Sequence, residues 1–491
     1  MTRTLASLLL AASLIGCSSS ETPSDKGASP EQATAAGFSA EALKSDLEAL
    51  YAGLQAGHVN LYANKTKAEY DALYDQMAGS IPASSDEADA FKLFQKFTAF
   101  GDVAHATVNI PEALFQPLMT DEARAFPIYP RFVDGQFYIG EDYSGQDMLV
   151  PGDRVTGLNG RPIETWLDEV RQFIAADSEY IANSLLEFRF PHYLWLAAGE
   201  VETFELDIVR LDGTSATVSI PALTRSERAE NIPADDDAAR PERHFELMEN
   251  DTGYLRPGPF YNFADPSNLW DNTSFTAFID DAFETFIAEG VETLIIDLRQ
   301  NPGGDSSFSD HMLAWVTDEP FAFASEFIVR SSAAAEAGND ARRALNPDRS
   351  NPISDAYTRL YEETPYGETF SLDLPTVAPR VGVRFEGQVY ALINRNSYSQ
   401  AVNVAASIQD YGIGILVGEP TADYATTYGS VETFTLPETG FVVNFPKAHI
   451  IRPSGDRVPG GVVPDILVAR EIVEGDEDAA LEAVLELIRS Q

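Results

Sequence analysis

Two short stretches of this sequence hold residue types whose order could do chemistry. The first is Asp297-Leu298-Arg299-Gln300-Asn301-Pro302-Gly303-Gly304-Asp305, which follows the apolar run Leu294-Ile295-Ile296. A buried strand ending in Asn-Pro-Gly-Gly brings bare backbone N–H groups to a surface. Its glycines permit the positive φ and the close approach that an anion-binding nest requires. Loops of this kind build oxyanion holes, although a Gly-Gly pair alone defines only a turn. The second stretch is Leu392-Ile393-Asn394-Arg395-Asn396-Ser397-Tyr398-Ser399-Gln400-Ala401, where a strand pattern turns sharply into the helical pattern Val402, Val404, Ala405, Ile408. A serine at such a corner exposes its hydroxyl, while the helix N-terminus supplies free N–H groups and positive potential. This is the logic of a nucleophile elbow without the Gly-x-Ser-x-Gly sequence; an ordinary N-cap serine is the plainer alternative.

Taken in order, these motifs resemble those of the tail-specific (C-terminal processing) serine peptidases. Asp297 to Gly304 is similar to their Asp-Leu-Arg-x-Asn-x-Gly-Gly signature. Ser397-Tyr398-Ser399, Gln409-Asp410-Tyr411-Gly412 and Val417-Gly418-Glu419-Pro420-Thr421 resemble the nucleophile region, and Arg452-Pro453-Ser454-Gly455 with Gly461-Val462-Val463-Pro464-Asp465 the closing motif. His58-Val59-Asn60-Leu61-Tyr62 and Gly101-Asp102-Val103-Ala104-His105 resemble N-terminal segments of the tricorn-like branch. The resemblance implies an α/β fold with a layered, crotonase/ClpP-like catalytic core, acting as a serine-type peptidase on peptide or unfolded protein. It implies neither a metal nor an organic cofactor.

Carried over by position, the resemblance makes Ser399 the nucleophile rather than Ser397. The backbone of Gly303 or Gly304 with the amide of Gln400 becomes the oxyanion hole. An unassisted hydroxyl is a poor nucleophile near neutrality, so a base is needed. The Ser-Lys branch keeps a lysine where this sequence has Tyr424, and no lysine lies between Ser399 and Lys447. The histidine branch takes its base from the N-terminal module, where His105 matches; imidazole suits the task near neutral pH. His58 is a weaker candidate, and His192, His244, His311 and His449 fall outside the base position. Two departures stand out. No glutamate precedes the closing motif, so Asp456 in Asp456-Arg457-Val458-Pro459-Gly460 is the nearest orienting acid, and Ala104 stands where a serine sometimes precedes the histidine. Those departures keep a second reading open, a catalytically silent peptide-binding protein on the same fold. A third, an acyl-CoA enzyme on the related core, is disfavoured by signs of export.

Several elements must position these residues. The chain has 491 residues, 44% hydrophobic and 22% charged, which is globular composition with room for two or three domains. Apolar residues Leu43, Leu47, Leu50, Tyr51 and Leu54 recur at helical spacing, a second helix fits Thr66 to Met77 with a capping box at Thr66 and Glu69, and a third fits Asp86 to Phe100. Together they predict an N-terminal helical module over 38–116. Asn159-Gly160 marks a tight turn in a β-rich stretch whose Pro151-Gly152-Asp153-Arg154-Val155 and following apolar helix resemble a PDZ-like domain over 127–223, although no carboxylate-cradling Gly-rich loop is evident. Thr224 to Glu249 reads as a mobile connector. From 250 to 491, strands and helices alternate as a catalytic domain, interrupted by a polar insertion from Ala333 to Thr369.

Charge and the N-terminus set the context. With 77 acidic against 33 basic residues the formal charge is −44, which repels phosphate backbones and excludes nucleic acid as a partner. The single cysteine excludes a disulfide framework and a Cys-based zinc site. Arg3, the apolar run Leu5 to Ile15, and Leu14-Ile15-Gly16-Cys17 resemble a lipoprotein signal peptide over 1–17, in which Cys17 is lipidated. A Ser/Ala/Pro-rich tether over 18–37 follows. The expected protein is exported, lipid-anchored and facing the periplasm or the outside, touching the membrane through that anchor.

Overall fold

The computed structural model describes residues 37–232, 242–345, 352–475 and 477–490. Cys17 and the signal-like segment lie outside the described residues. No helix among the described residues is long and apolar enough to cross a membrane.

The three expected N-terminal helices form as Ala40–Gly57, Lys67–Ser80 and Glu87–Ala99. Each begins on a side-chain cap: Ser39 accepts the N–H of Ala42, Thr66 and Glu69 cap one another reciprocally, and Asp86 accepts the N–H of Asp89. Leu43, Leu47, Leu50 and Leu54 bury one stripe of the first helix against a core that includes Phe91, Phe94 and Phe97. The same helix lies on a long hairpin of the C-terminal half, Tyr424–Thr435 with Val442–Ile451. A Cβ on Gly57 would stand 2.6 Å from the Phe445 ring, so only glycine allows that approach. Buried Asp46 accepts the N–H groups of Glu438 and Thr439 at 2.9 and 2.8 Å, and so holds the turn of the hairpin.

A second region is an antiparallel sheet of Ile128–Val133, Gln136–Asp142, Arg154–Leu158, Thr203–Val209 and Ser215–Pro221, in that spatial order. Asn159 and Gly160, at φ 51° and 72°, form the expected two-residue turn, with Leu158 opposite Arg161. The helix Glu179–Ala198 has no counterpart in the sequence reading. Its apolar residues surround it and Pro191 interrupts it, so no one-sided 3.6-residue period marks it.

The C-terminal layer is a mixed sheet in the order His244–Met248, Thr252–Arg256, Thr293–Asp297, Gln388–Ile393, Ile415–Gly418, Ile466–Leu467. All pairs but the first are parallel, as strand–helix–strand alternation predicts. The first pair corrects one expectation: the connector Thr224 to Glu249 contains the helix Arg225–Glu230 and the edge strand His244–Met248. None of that strand's residues is fully buried, and its short run stands among polar, charged neighbours, which masked its pairing. The polar insertion holds two helices, Ala333–Leu345 and Pro352–Glu363.

Candidate active site

The strands Thr293–Asp297 and Gln388–Ile393 are parallel neighbours, so their carboxyl ends deliver the two chemistry-bearing loops side by side. Asn301 fastens one loop to the other. Its carbonyl accepts the N–H of Tyr398 at 2.9 Å, its amide donates to Gly258 O at 2.7 Å, and its Oδ1 accepts the N–H of Gly303 at 2.9 Å.

Within the second loop the two serines have different fates. Ser397 is fully buried, and its hydroxyl donates to Leu298 O at 2.8 Å, a structural tie. Ser399 is half-buried at the first turn of the helix Gln400–Asp410 and has no hydrogen bond to its hydroxyl among the described residues. Its backbone sits at φ 50°, ψ −118°, a strained conformation for a residue with a side chain. Asp423, 3% exposed, holds that corner by accepting the N–H of Ser399 at 2.6 Å and that of Tyr424 at 2.9 Å.

Gly303 (φ 87°) and Gly304 (φ 139°) run against this turn. A Cβ on Gly303 would lie 2.7 Å from Gln400 N, and one on Gly304 would lie 2.1 Å from Phe260 O. The Gly303 N–H is taken by Asn301, whereas the N–H groups of Gly304 and Gln400 have no partner among the described residues. The Gln400 side chain is tied away to Ser309 Oγ at 2.9 Å, leaving its amide as the helix's first free donor.

His105 arrives from the other end of the chain, just before the short strand Thr107–Val108, which pairs with Asn444 and Val443 of the long hairpin. Gln95 accepts the Val108 N–H and donates to Phe173 O, both at 2.8 Å, which locks the loop from below. Asp177 Oδ2 accepts the N–H of Ala104 at 3.0 Å. Ala104 packs on the cluster of Ile181, Tyr398 and Ala422, so the neighbours of His105 and Ser399 share one apolar contact. His105 is 7% exposed, and its Nδ1 is buried with no hydrogen-bond partner among the described residues. Burial pushes the Asp177 carboxyl up to about 6, with Asp423 adding to the rise while the Ala104 N–H and His105 oppose it.

Asp177 and Asp423 were missed by sequence reasoning. Asp423 follows the Gly418-Glu419-Pro420-Thr421 motif closely and was within its reach; Asp177 lies in a loop with no pattern around it. Tyr424, at the lysine position of the other branch, directs its phenol at Asp177 O over 3.5 Å. Asp456 is exposed, with its carboxylate accepting the Val458 N–H and its carbonyl accepting from Thr426, so no hydrogen bond joins it to His105. His58 is buried and accepts the Asn60 N–H at 3.0 Å; burial, then Arg330, pulls its pKa down to about 3. Among the described residues no group of three or more His, Cys, Asp or Glu side chains could hold a metal ion.

The remaining motif residues are ties. Arg299 bridges Asp297 and Asp478, the cap of the C-terminal helix Ala479–Arg489, with contacts of 2.7 to 2.9 Å. Arg452 holds Asp410, and Asp465 accepts the Leu416 N–H.

Residues 251–468 match the sequence model described as peptidase family S41. The fold as a whole is similar to solved structures of mature CPAF. The complex of that protein with lactacystin superimposes with a TM-score of 0.62 at 15% identity, covering 92% of this chain and 97% of the other. A second structure of mature CPAF gives 0.61 at 16% identity, covering 92% and 96%. At such identity the likeness is one of fold.

Proposed function

We propose that this peptidase cuts peptide bonds through a Ser399 acyl-enzyme with His105 as general base. The observation that carries the reading is Ser399 itself: on a strained corner, with a hydroxyl that has no partner among the described residues, beside the amides of Gly304 and Gln400, which have none there either. As Ser399 Oγ attacks the scissile carbonyl carbon, its proton passes to His105 and the carbonyl oxygen becomes an oxyanion between those two amides. His105 then gives the proton to the leaving amine, the C–N bond breaks and an ester remains on Ser399. Water, deprotonated by His105, attacks the ester; the ester C–O bond breaks, the carboxylic acid product leaves and His105 returns the proton to Ser399 Oγ. Gly303 serves by lacking a side chain, since its own N–H is held by Asn301.

Labelling with a fluorophosphonate tests the reading. The wild-type protein should label, and Ser399→Ala and His105→Ala should each lose labelling by about a hundredfold or more while melting normally. A wild type that does not label would give the cleft to the silent peptide-binding reading.

The chain is further proposed to be exported and anchored through Cys17, supported by the Arg3 start and the Leu14-Ile15-Gly16-Cys17 sequence. In bacteria the full chain should partition into detergent and incorporate labelled palmitate, and Cys17→Ser should do neither. Equal partitioning of the two would remove the anchor.

A further inference from the structure

We propose that Asp177, on the loop leading into the helix Glu179–Ala198, is the acidic positioning residue for His105, fixing its loop and stabilising the imidazolium formed when His105 takes the Ser399 proton. The inference rests on the Ser399–His105 reading and supplies the partner that the missing glutamate leaves open. Three observations carry it. Asp177 Oδ2 accepts the N–H of Ala104, the residue before His105, at 3.0 Å. His105 is among the groups that favour the ionised form of that carboxylate, against the larger effect of burial. His105 Nδ1 is buried with no hydrogen-bond partner among the described residues, so a positive charge arriving on that ring finds no bonded acceptor there and depends on a nearby anion.

Other charges around Asp177 sharpen the assignment. Asp423 faces it from the loop before the long hairpin, and Tyr424 reaches its backbone carbonyl from the same side. Asp423 has one carboxylate oxygen on the Ser399 N–H and the other on the Tyr424 N–H, so it is committed to the nucleophile's side. Two carboxylates thus divide the work, Asp423 on the backbone N–H of Ser399 and Asp177 on that of Ala104, the residue before His105. Burial first, and Asp423 after it, make Asp177 reluctant to ionise, so the group that would neutralise the imidazolium is anionic at neutral pH and is lost in mild acid.

The test exploits a chemical difference. Asparagine at 177 still offers an oxygen to the Ala104 N–H but carries no charge, so a purely structural role survives Asp177→Asn and an electrostatic one does not. The rate of fluorophosphonate inactivation should be measured against pH for the wild type, Asp177→Asn, Asp177→Glu, Asp456→Asn and His105→Ala. Asp177→Asn should react about tenfold or more slowly near pH 7.5, and the part of the wild-type acid limb that follows protonation of Asp177 at about 6 should be absent from it. Asp177→Glu should recover most of the rate. If the Asn variant does not fold, Asp177→Ser, equally uncharged, carries the same expectation. A wild-type profile for a folded Asp177→Asn that still needs His105, or a loss confined to Asp456→Asn, would overturn the role of Asp177 alone. An unreactive wild type, or labelling indifferent to His105→Ala, would remove the Ser–His reading and this inference with it.

Discussion

Asp177 carries a stability consequence separate from its proposed work. Its folded carboxyl binds a proton more tightly than the unfolded chain does, at about 6 against 3.8, so ionisation above that range opposes folding. The penalty is present in full above about pH 6, shrinks as pH falls through the interval, and vanishes below about pH 4, where both states are protonated. Asp177→Asn should therefore melt higher than the wild type near pH 7.5, by the equivalent of about 1–2 kcal/mol, and converge with it near pH 4. Melting curves across that range check this; a difference that does not change with pH would show that charge is not its origin. A variant more stable yet slower is the expected signature of a residue kept for function. At this scale the sequence was informative where residues cluster in a motif, as Ser399, Gly304 and Gln400 do. It was silent about Asp177, because an isolated acid in a loop has meaning only through what the fold brings to it.

Among the elements, the signature motif divides between the loop that lies against the Ser399 turn and ties within the fold. Gly303, Gly304 and Asn301 shape the site, whereas Asp297 and Arg299 fasten the strand end to the C-terminal helix through Asp478. Burial works against the charge of Asp297, but Arg299 and the Tyr254 hydroxyl outweigh it and hold its carboxyl below the usual range. Breaking a pair of this kind leaves Arg299 short of an anion in a largely enclosed place. Asp478→Ala should cost about 1–3 kcal/mol of stability, read by denaturant unfolding, while Ser399 still labels. Loss of labelling in a folded variant would mean the C-terminal helix also positions the site. Elements were legible where a period or a cap announced them: the strand Gln388–Ile393 turns into the helix Gln400–Asp410 where the pattern changes, and the Thr66–Glu69 capping box forms. The helix Glu179–Ala198 escaped because burial around its circumference erases the one-sided pattern, although Tyr398 is anchored on its Ser184.

For the whole molecule, the notable fact is the number of regions that meet at one spot. Under the proposed chemistry Ser399 comes from the C-terminal layer, where Asp423 holds its N–H, His105 from the N-terminal helical module, whose strand Thr107–Val108 pairs with the hairpin, and Asp177 from the loop before the long helix, where it holds the Ala104 N–H. The first helix reaches that hairpin through glycines and through Asp46, so the module carrying His105 is seated by contacts distant in sequence. Motif order gave the family and the layer but not this seating, since pairing between remote segments leaves no local trace. Under the proposed chemistry, a copy still being made, or one whose modules have not docked, owns a serine without a base or a base without a serine. Such a copy is harmless to its neighbours and to itself. Completion of the fold is then the safety catch, released only when the earliest and latest parts of the chain have found each other.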